Sequence, residues 1–114
     1  MEIENRRIKK MVTKSAVNIA KKYLSSLPAE LDVKKAYIFG SYAKGTQREE
    51  SDIDIAVVFG HMDDFFEMQM ELFRRRRKID LRIEPHPFDE DDFSENNPVA
   101  VEIMNTGIDI LNDA

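Results

Sequence analysis

The segment 37–58 constrains the fold of this chain more than any other. Two apolar runs flank a Gly40-Ser41 pair and a short polar stretch, and the second run begins with Asp52 and Asp54 in alternation with isoleucines. Ten residues separate Ser41 from Asp52. Because successive side chains of a strand point to opposite faces, both carboxylates leave one face, about 7 Å apart. The segment therefore predicts two strands joined by a turn, with an acid pair on one side of a sheet.

The turn and the acid pair together have the chemistry of a metal–nucleotide site. Two carboxylates at this spacing can bracket a divalent cation. A Gly-Ser turn that opens a helix offers backbone N–H groups and a hydroxyl to phosphate. Glycine also lets the backbone approach phosphates that a Cβ would obstruct, and the cations just after the turn could neutralise phosphate charge. The predicted nucleotide-binding residues are Gly40, Ser41, Lys44 and Arg48.

Hydrophobic periodicity predicts the elements around this segment. Apolar residues at three- and four-residue steps indicate a first helix from about Ile3 to Leu27, which Pro28 closes. The other predicted elements are, in chain order, a strand Val33–Phe39, a helical turn from Ser41 to about Thr46, a strand Asp52–Phe59, a helix from about Asp63 to about Arg77, a strand Ile79–Glu84, a short helix Pro98–Met104 and an edge strand Gly107–Leu111.

Some side chains receive a structural interpretation. The Pro-His-Pro tripeptide at 85–87 is expected to end the third strand. The two histidines, His61 and His86, are interpreted as surface or loop residues, and the cations at 74–78 as a solvated helix end. The residues predicted to be core in the helix after Gly60 are Phe65, Phe66, Met70 and Phe73.

A third acid on the predicted strand Ile79–Glu84 would complete the site. If that strand pairs beside the second strand in a suitable register, Asp80 joins Asp52 and Asp54. Three acids in one cleft repel one another and are costly without cations. Two Mg²⁺ ions are the simplest explanation, one on a triphosphate and one on an acceptor hydroxyl.

Composition narrows the class of protein. The length of 114 residues fits a single domain, 1–114, and 42% apolar with 34% charged residues fits a globular chain. A net charge of −5 argues against broad binding to nucleic acid. The absence of cysteine excludes disulfides and thiolate metal sites, and it fits a cytoplasmic location. No apolar run approaches the length that spans a membrane, and no signal peptide is recognised.

The Gly40-Ser41 pair, ten residues and Asp52-x-Asp54 resemble the signature of the polymerase-beta-type nucleotidyltransferase superfamily. The length and the form Gly-Ser-Tyr-Ala-Lys-Gly are similar to the minimal nucleotidyltransferase (MNT) family, over nearly the whole chain. The resemblance implies an α/β (α+β) fold, a small mixed β-sheet with helices packed mainly on one face. It also implies that Asp52, Asp54 and Asp80 coordinate metal, that Asp80 helps to activate the acceptor, and that ATP is the substrate.

The resemblance further implies a partner. MNT proteins often pair with a HEPN-domain protein in toxin–antitoxin modules, and some transfer AMP from ATP to a tyrosine of the HEPN toxin. It thus implies an antitoxin that is a Mg²⁺-dependent nucleotidyltransferase. Two alternatives stay open: transfer to a small hydroxylated molecule, as in antibiotic-modifying relatives, and an antitoxin that acts by contact alone. The edge near Gly107–Leu111 or the first helix could support a homo-oligomer or a partner interface.

Overall fold

The computed structural model describes residues 2–48 and 51–111, with side chains from residue 13 onward. Nine elements follow one another along this part of the chain: α1 (Glu2–Ser26), a 3₁₀ turn (Ala29–Leu31), β1 (Val33–Phe39), α2 (Ser41–Lys44), β2 (Ile53–Phe59), α3 (Phe65–Arg76), β3 (Ile83–Asp89), α4 (Pro98–Thr106) and β4 (Ile108–Asp109). No helix among these residues is both long and apolar enough to cross a bilayer.

Local capping chemistry sets where the later helices begin. The Asp64 carboxylate accepts the Glu67 N–H at 3.1 Å and so caps α3. At α4, the Asn97 side chain accepts the Val99 N–H at 3.0 Å, and Pro98 occupies the first turn, where its missing N–H costs nothing. Three arginines lie in the last turn of α3, the end that favours cations.

The sheet has the strand order β3-β2-β1-β4. β1 runs antiparallel to both β2 and β4, whereas β2 and β3 are parallel. In this register, Asp54 is paired with Phe39 on one side and with Glu84 on the other. The acid end of β2 therefore lies between the end of β1 and the start of β3.

The two faces of the sheet carry separate apolar clusters. Helices α1, α2 and α3 pack on the first face, and the Tyr23 hydroxyl of α1 donates to the Leu72 carbonyl of α3 at 2.7 Å. The buried strand residues of that face are Ala36, Ile38, Ile53, Ile55, Val57, Phe59 and Ile83. On the second face, α4 and the loop before it cover Ala56 and Val58. Since side chains alternate, Asp54 lies on this second face, beyond the end of the apolar cluster.

The third strand begins later than its hydrophobic alternation predicted. The predicted strand Ile79–Glu84 is wrong, because residues 77–82 form turns and β3 spans Ile83–Asp89. The guanidinium of Arg76 donates to the carbonyls of Leu81 at 3.1 Å and of Ile83 at 2.9 Å. These bonds hold the turn against the end of α3, so pairing with β2 starts only at residue 83.

The Pro-His-Pro tripeptide continues this strand instead of ending it. β3 is an edge strand, and the Glu90 N–H donates to the Phe59 carbonyl at 2.8 Å. In a strand, the backbone N–H and C=O groups of every second residue point to the same neighbouring strand. Those of His86 therefore point to β2, as those of Glu90 do, and those of the two prolines point away from it. Proline is tolerated in an edge strand where its missing N–H would point away from the sheet. The rings of Pro85 and Pro87 are buried on the first face.

Helix α3 buries a different stripe from the one the sequence suggested. Phe65, Phe66 and Met70 are exposed (48%, 73% and 59%), so their assignment to the core is wrong. Leu72 is fully buried instead, with Met68 packed beside it. At about 100° per residue, Met70 and Leu72 point to nearly opposite sides of the helix. The helix carries apolar residues on both sides, and the sheet covers only one.

Candidate active site

The Gly-Ser turn meets the acid strand at the end of β1. Gly40 has a φ of +74°, and a Cβ placed there would lie 2.6 Å from Oδ2 of Asp54. Only glycine accommodates both this left-handed backbone and so close a carboxylate. The structure therefore brings together Gly40 and Asp54, which the spacing of the sequence motif had predicted to share a site.

One turn of helix follows the glycine and is tied to the sheet by a tyrosine. The Lys44 N–H donates to the Gly40 carbonyl at 3.0 Å, and the N–H groups that precede it have no partner within the helix. Tyr42 is buried, and its hydroxyl lies 3.4 Å from the carbonyls of Arg48 and Ser51. These contacts hold Arg48 and Ser51, in the segment between α2 and β2, against the helical turn.

Glu84 supplies a third carboxylate beside the acid pair. It is the register partner of Asp54 on β3. Burial, then hydrogen bonding to the Asp52 carboxyl group, then the charges of Asp54 and Asp52 raise the pKa of Glu84 above its usual value of 4.5. The sequence predicted that three acids repel one another in this cleft, with Asp80 as the third. The third acid beside Asp52 and Asp54 is Glu84 instead.

His86 faces the same cleft. Its Nε2 lies 3.1 Å from Oδ1 of Asp54, and the ring of Phe39 packs edge-on against the imidazole at 5.0 Å between centroids. One ligand atom from each of Asp54, Glu84 and His86 lies within 4.8 Å of the other two. The interpretation of His86 as a surface or loop residue missed this cluster. The signal was the alternation Glu84-x-His86, which the neighbouring prolines obscured.

This donor set fits a divalent cation. Carboxylate oxygens suit hard cations, and imidazole nitrogen suits transition metals. The side chains of Asp54 and His86 are 25% and 36% exposed, so a ligand can reach them from solvent. Asp52 is more exposed still.

Asp80 lies outside this cluster in the described part of the chain. It precedes β3, and its Oδ1 accepts the Arg82 backbone N–H at 2.8 Å while Oδ2 accepts the Arg82 guanidinium at 2.9 Å. The hydrogen bond from Arg82, opposed by partial burial, lowers the pKa of Asp80 below its usual value of 3.8. Its predicted place beside Asp52 and Asp54 required residue 80 to pair with β2, whereas pairing starts only at residue 83.

The cations predicted to meet phosphate lie at the edge of the site. Lys44 Nζ is 3.6 Å from a carboxylate oxygen of Glu102 on α4, and both side chains are exposed. Arg48 is exposed beyond α2. Phosphate binding by Ser41, Lys44 and Arg48 stays a prediction. His61 is an exposed residue paired with Asp63 at 2.6 Å, in agreement with its interpretation as a surface group.

A sequence model of the family described as "Polymerase beta, Nucleotidyltransferase" matches residues 17–113. Among curated proteins, similarity is found to four proteins of Methanocaldococcus jannaschii that bear the name "Putative protein adenylyltransferase", including MJ1215 and MJ1379. MJ1215 is 46% identical over 54 residues, which are 45% of this chain and 63% of MJ1215. MJ1379 is 42% identical over 62 residues, 54% of this chain and 62% of MJ1379. The chain thus spans less than two thirds of the length of either relative.

Solved structures with the same fold include a protein from Sulfolobus solfataricus described as a "putative nucleotidyltransferase". It superposes with a TM-score of 0.51 and 29% identity, over 79% of this chain and 75% of that one. A structure described as a toxin–antitoxin with AMP-PNP superposes with a TM-score of 0.54 and 26% identity, over 85% of this chain and 73% of that one. The mixed sheet and its helices are therefore an arrangement shared with nucleotidyltransferases.

Proposed function

Because the chain belongs to the polymerase beta nucleotidyltransferase family, we propose that it transfers AMP from ATP to a hydroxyl group of a protein partner. The observation that carries this proposal is the meeting of Gly40 with the Asp52, Asp54 and Glu84 carboxylates in one open cleft. Such a cleft offers backbone donors to phosphate and oxygen ligands to divalent cations.

In this proposal, some residues of the cleft bind the triphosphate and others bind the cations. Gly40 admits the triphosphate close to the backbone, and the Ser41 hydroxyl donates to one of its oxygens. Asp52 and Asp54 would hold two divalent cations, and Glu84 takes the role that the sequence suggested for Asp80. Bound cations would neutralise the triphosphate and lower the pKa of the acceptor hydroxyl.

The reaction is an in-line displacement at the α-phosphorus. The acceptor oxygen forms a bond to that phosphorus, the bond to the bridging oxygen breaks, pyrophosphate leaves, and the hydroxyl proton passes to water. Most of the acceleration in phosphoryl-group chemistry comes from positioning and from neutralising charge. The protein contributes both through a rigid strand pair and the glycine turn.

A protein is the proposed acceptor, specifically a tyrosine of a HEPN-domain toxin, with this chain as a cytoplasmic antitoxin. The names of the relatives, protein adenylyltransferase and toxin–antitoxin, support this choice. The exposed Phe65, Phe66 and Met70 of α3 support it independently, because clustered apolar side chains on a small domain are typical of protein interfaces.

Label transfer tests the proposal. The purified chain is incubated with Mg²⁺, α-labelled ATP and the co-expressed HEPN partner. We expect labelled partner with wild type and with Asp80→Asn, and none with Asp52→Asn/Asp54→Asn or with Glu84→Gln. Loss of label in Asp80→Asn with retention in Glu84→Gln would contradict the assignment of the third acid. Absence of label with wild type, while ATP still binds, would contradict protein adenylylation.

Binding alone is the second candidate, because the exposed apolar side of α3 would serve a contact antitoxin equally well. The double variant Asp52→Asn/Asp54→Asn separates the two. A catalytic antitoxin loses its ability to neutralise the partner toxin in this variant, whereas a contact antitoxin keeps it.

A further inference from the structure

We propose that His86 is itself a metal ligand, and that it gives the Asp54–Glu84 site a preference for a first-row transition metal over Mg²⁺. This inference rests on the proposed metal-dependent transfer and specifies one of its two cation sites. The observation behind it is the cluster of Asp54, Glu84 and His86, whose ligand atoms lie within 4.8 Å of one another.

The geometry matches neighbouring positions in one coordination sphere. Neighbouring ligands of an octahedral ion with bonds of about 2.2 Å lie about 3 Å apart. The Nε2 of His86 and the Oδ1 of Asp54 are 3.1 Å apart. Glu84 lies beside Asp54 in the strand register and can complete a set of three with a small rotation of its side chain.

The imidazole is held in place by its surroundings. His86 is paired in register with Ala56 of β2, and Phe39 packs against its ring. Pro85 and Pro87 flank it, and each fixes its own φ near −65°. Their rings are buried on the opposite face, so the backbone that carries the imidazole is anchored. A ligand presented by such a segment loses little conformational freedom when a metal binds.

The mixed donor set favours a transition metal. Mg²⁺ takes oxygen ligands and water almost throughout, whereas Mn²⁺, Fe²⁺ and Co²⁺ accept both carboxylate and imidazole. Two oxygens and one nitrogen therefore select against Mg²⁺ at this position. The second cation site, at Asp52 and the triphosphate, has no nitrogen donor in this assignment and keeps the ordinary preference for Mg²⁺.

Metal binding to the full chain tests the inference without any measurement of activity. Calorimetric titrations with Mn²⁺ and with Mg²⁺ are made on metal-free wild type, His86→Asn, His86→Gln and the control His61→Asn. We expect wild type and His61→Asn to bind Mn²⁺ at least about tenfold more tightly than Mg²⁺. Both His86 variants are expected to lose about tenfold in Mn²⁺ affinity and to change little towards Mg²⁺.

A spectroscopic readout on wild type avoids any dependence on the folding of variants. Pulsed electron paramagnetic resonance of bound Mn²⁺ is expected to show coupling to an imidazole ¹⁴N in wild type and in His61→Asn. Absence of that coupling, absence of Mn²⁺ binding, or unchanged Mn²⁺ affinity in His86→Asn would each overturn the inference and leave His86 as a hydrogen-bond donor to Asp54. Failure of label transfer with intact ¹⁴N coupling would instead count against the proposed reaction alone.

Discussion

At the scale of single residues, Gly40 shows why the turn of the motif requires glycine. Gly40 and Gly45 share a φ of +74°, but only at Gly40 would a Cβ meet an obstacle, the Asp54 carboxylate at 2.6 Å. The backbone penalty for alanine is about 1 kcal/mol at both positions. The displacement of Asp54 is specific to Gly40.

Gly40→Ala is therefore expected to abolish stabilisation by Mg²⁺-ATP, whereas Gly45→Ala is expected to retain it. Both variants should lose about 1 kcal/mol of unfolding free energy from backbone strain, and Gly40→Ala somewhat more. Urea unfolding and thermal shifts with and without Mg²⁺-ATP measure the two effects. Equal loss of ligand stabilisation in both variants would show that the contact with Asp54 is unimportant.

Glu84→Gln is expected to stabilise the metal-free protein near neutral pH. The raised pKa of Glu84 means that the folded state holds its proton more tightly than the unfolded state. Wild type therefore loses stability as the pH rises from 4.5 through the folded pKa, and the variant does not. We expect a melting temperature a few degrees higher for the variant at pH 7, converging below pH 4.5. Thermal denaturation in EDTA across pH 4 to 8 tests this, and a less stable variant at pH 7 would contradict it.

Asp80→Asn is expected to destabilise the protein near neutral pH, in contrast to Glu84→Gln. Because hydrogen bonds from Arg82 lower the pKa of Asp80, the carboxylate stabilises the fold at pH values above its usual pKa of 3.8. That contribution is lost as the pH falls through the still lower folded pKa. The side chains of Asp80 and Arg82 are 20% and 34% exposed, so we expect a loss of only about 1 kcal/mol at pH 7. Urea unfolding at pH 7 and at pH 3 measures it, and equal losses at both would argue against the ion pair.

At the scale of elements, one side of α3 packs in the core and the other side is exposed to solvent. Leu72 is fully buried in the main core, whereas Phe66 and Met70 are 73% and 59% exposed. Leu72→Ala is expected to cost about 2–5 kcal/mol of unfolding free energy. Phe66→Ser/Met70→Ser is expected to cost less than about 0.5 kcal/mol and to weaken partner binding. Chemical denaturation and a binding titration with the proposed HEPN-domain partner measure both effects, and unchanged affinity would show that α3 is not part of the proposed interface.

The strands show how much of the fold can be predicted from the sequence. β1 has the predicted bounds, Val33–Phe39, and β2 begins one residue after the predicted Asp52, because both are apolar runs bounded by turn residues. The bounds of β3 were predicted wrongly, because the short alternating run before Pro85 resembles a strand. The point at which β3 begins to pair with β2 depends instead on the turn that Arg76 holds against the end of α3. Because of this error in the bounds of β3, Asp80 was predicted as the third acid of the site in place of Glu84, and His86 was not predicted as part of it. Pairing register is a tertiary property, and local alternation alone does not determine it.

At the scale of the whole molecule, the site lies on one sheet face, beyond the part that α4 covers. The α1 and α3 helices close the opposite face, and α4 with its preceding loop covers only the Ala56–Val58 end. Asp54, Glu84 and His86 therefore line a cleft that the residues described by the structure leave open on one side. An acceptor carried by a second protein could close that side, which is the structural basis for preferring a protein acceptor.

The open cleft also makes ligand binding visible in global stability. A ligand that binds only the folded state at a hundred times its Kd adds about 2.7 kcal/mol. For a domain of this size, that corresponds to a rise in melting temperature of roughly 10 °C or more. We expect this rise for wild type and Asp80→Asn with saturating Mg²⁺-ATP, and a small or absent rise for Asp52→Asn/Asp54→Asn. A full rise in the double variant would place the nucleotide elsewhere, since relief of carboxylate repulsion stabilises the metal-free state but creates no affinity for the ligand.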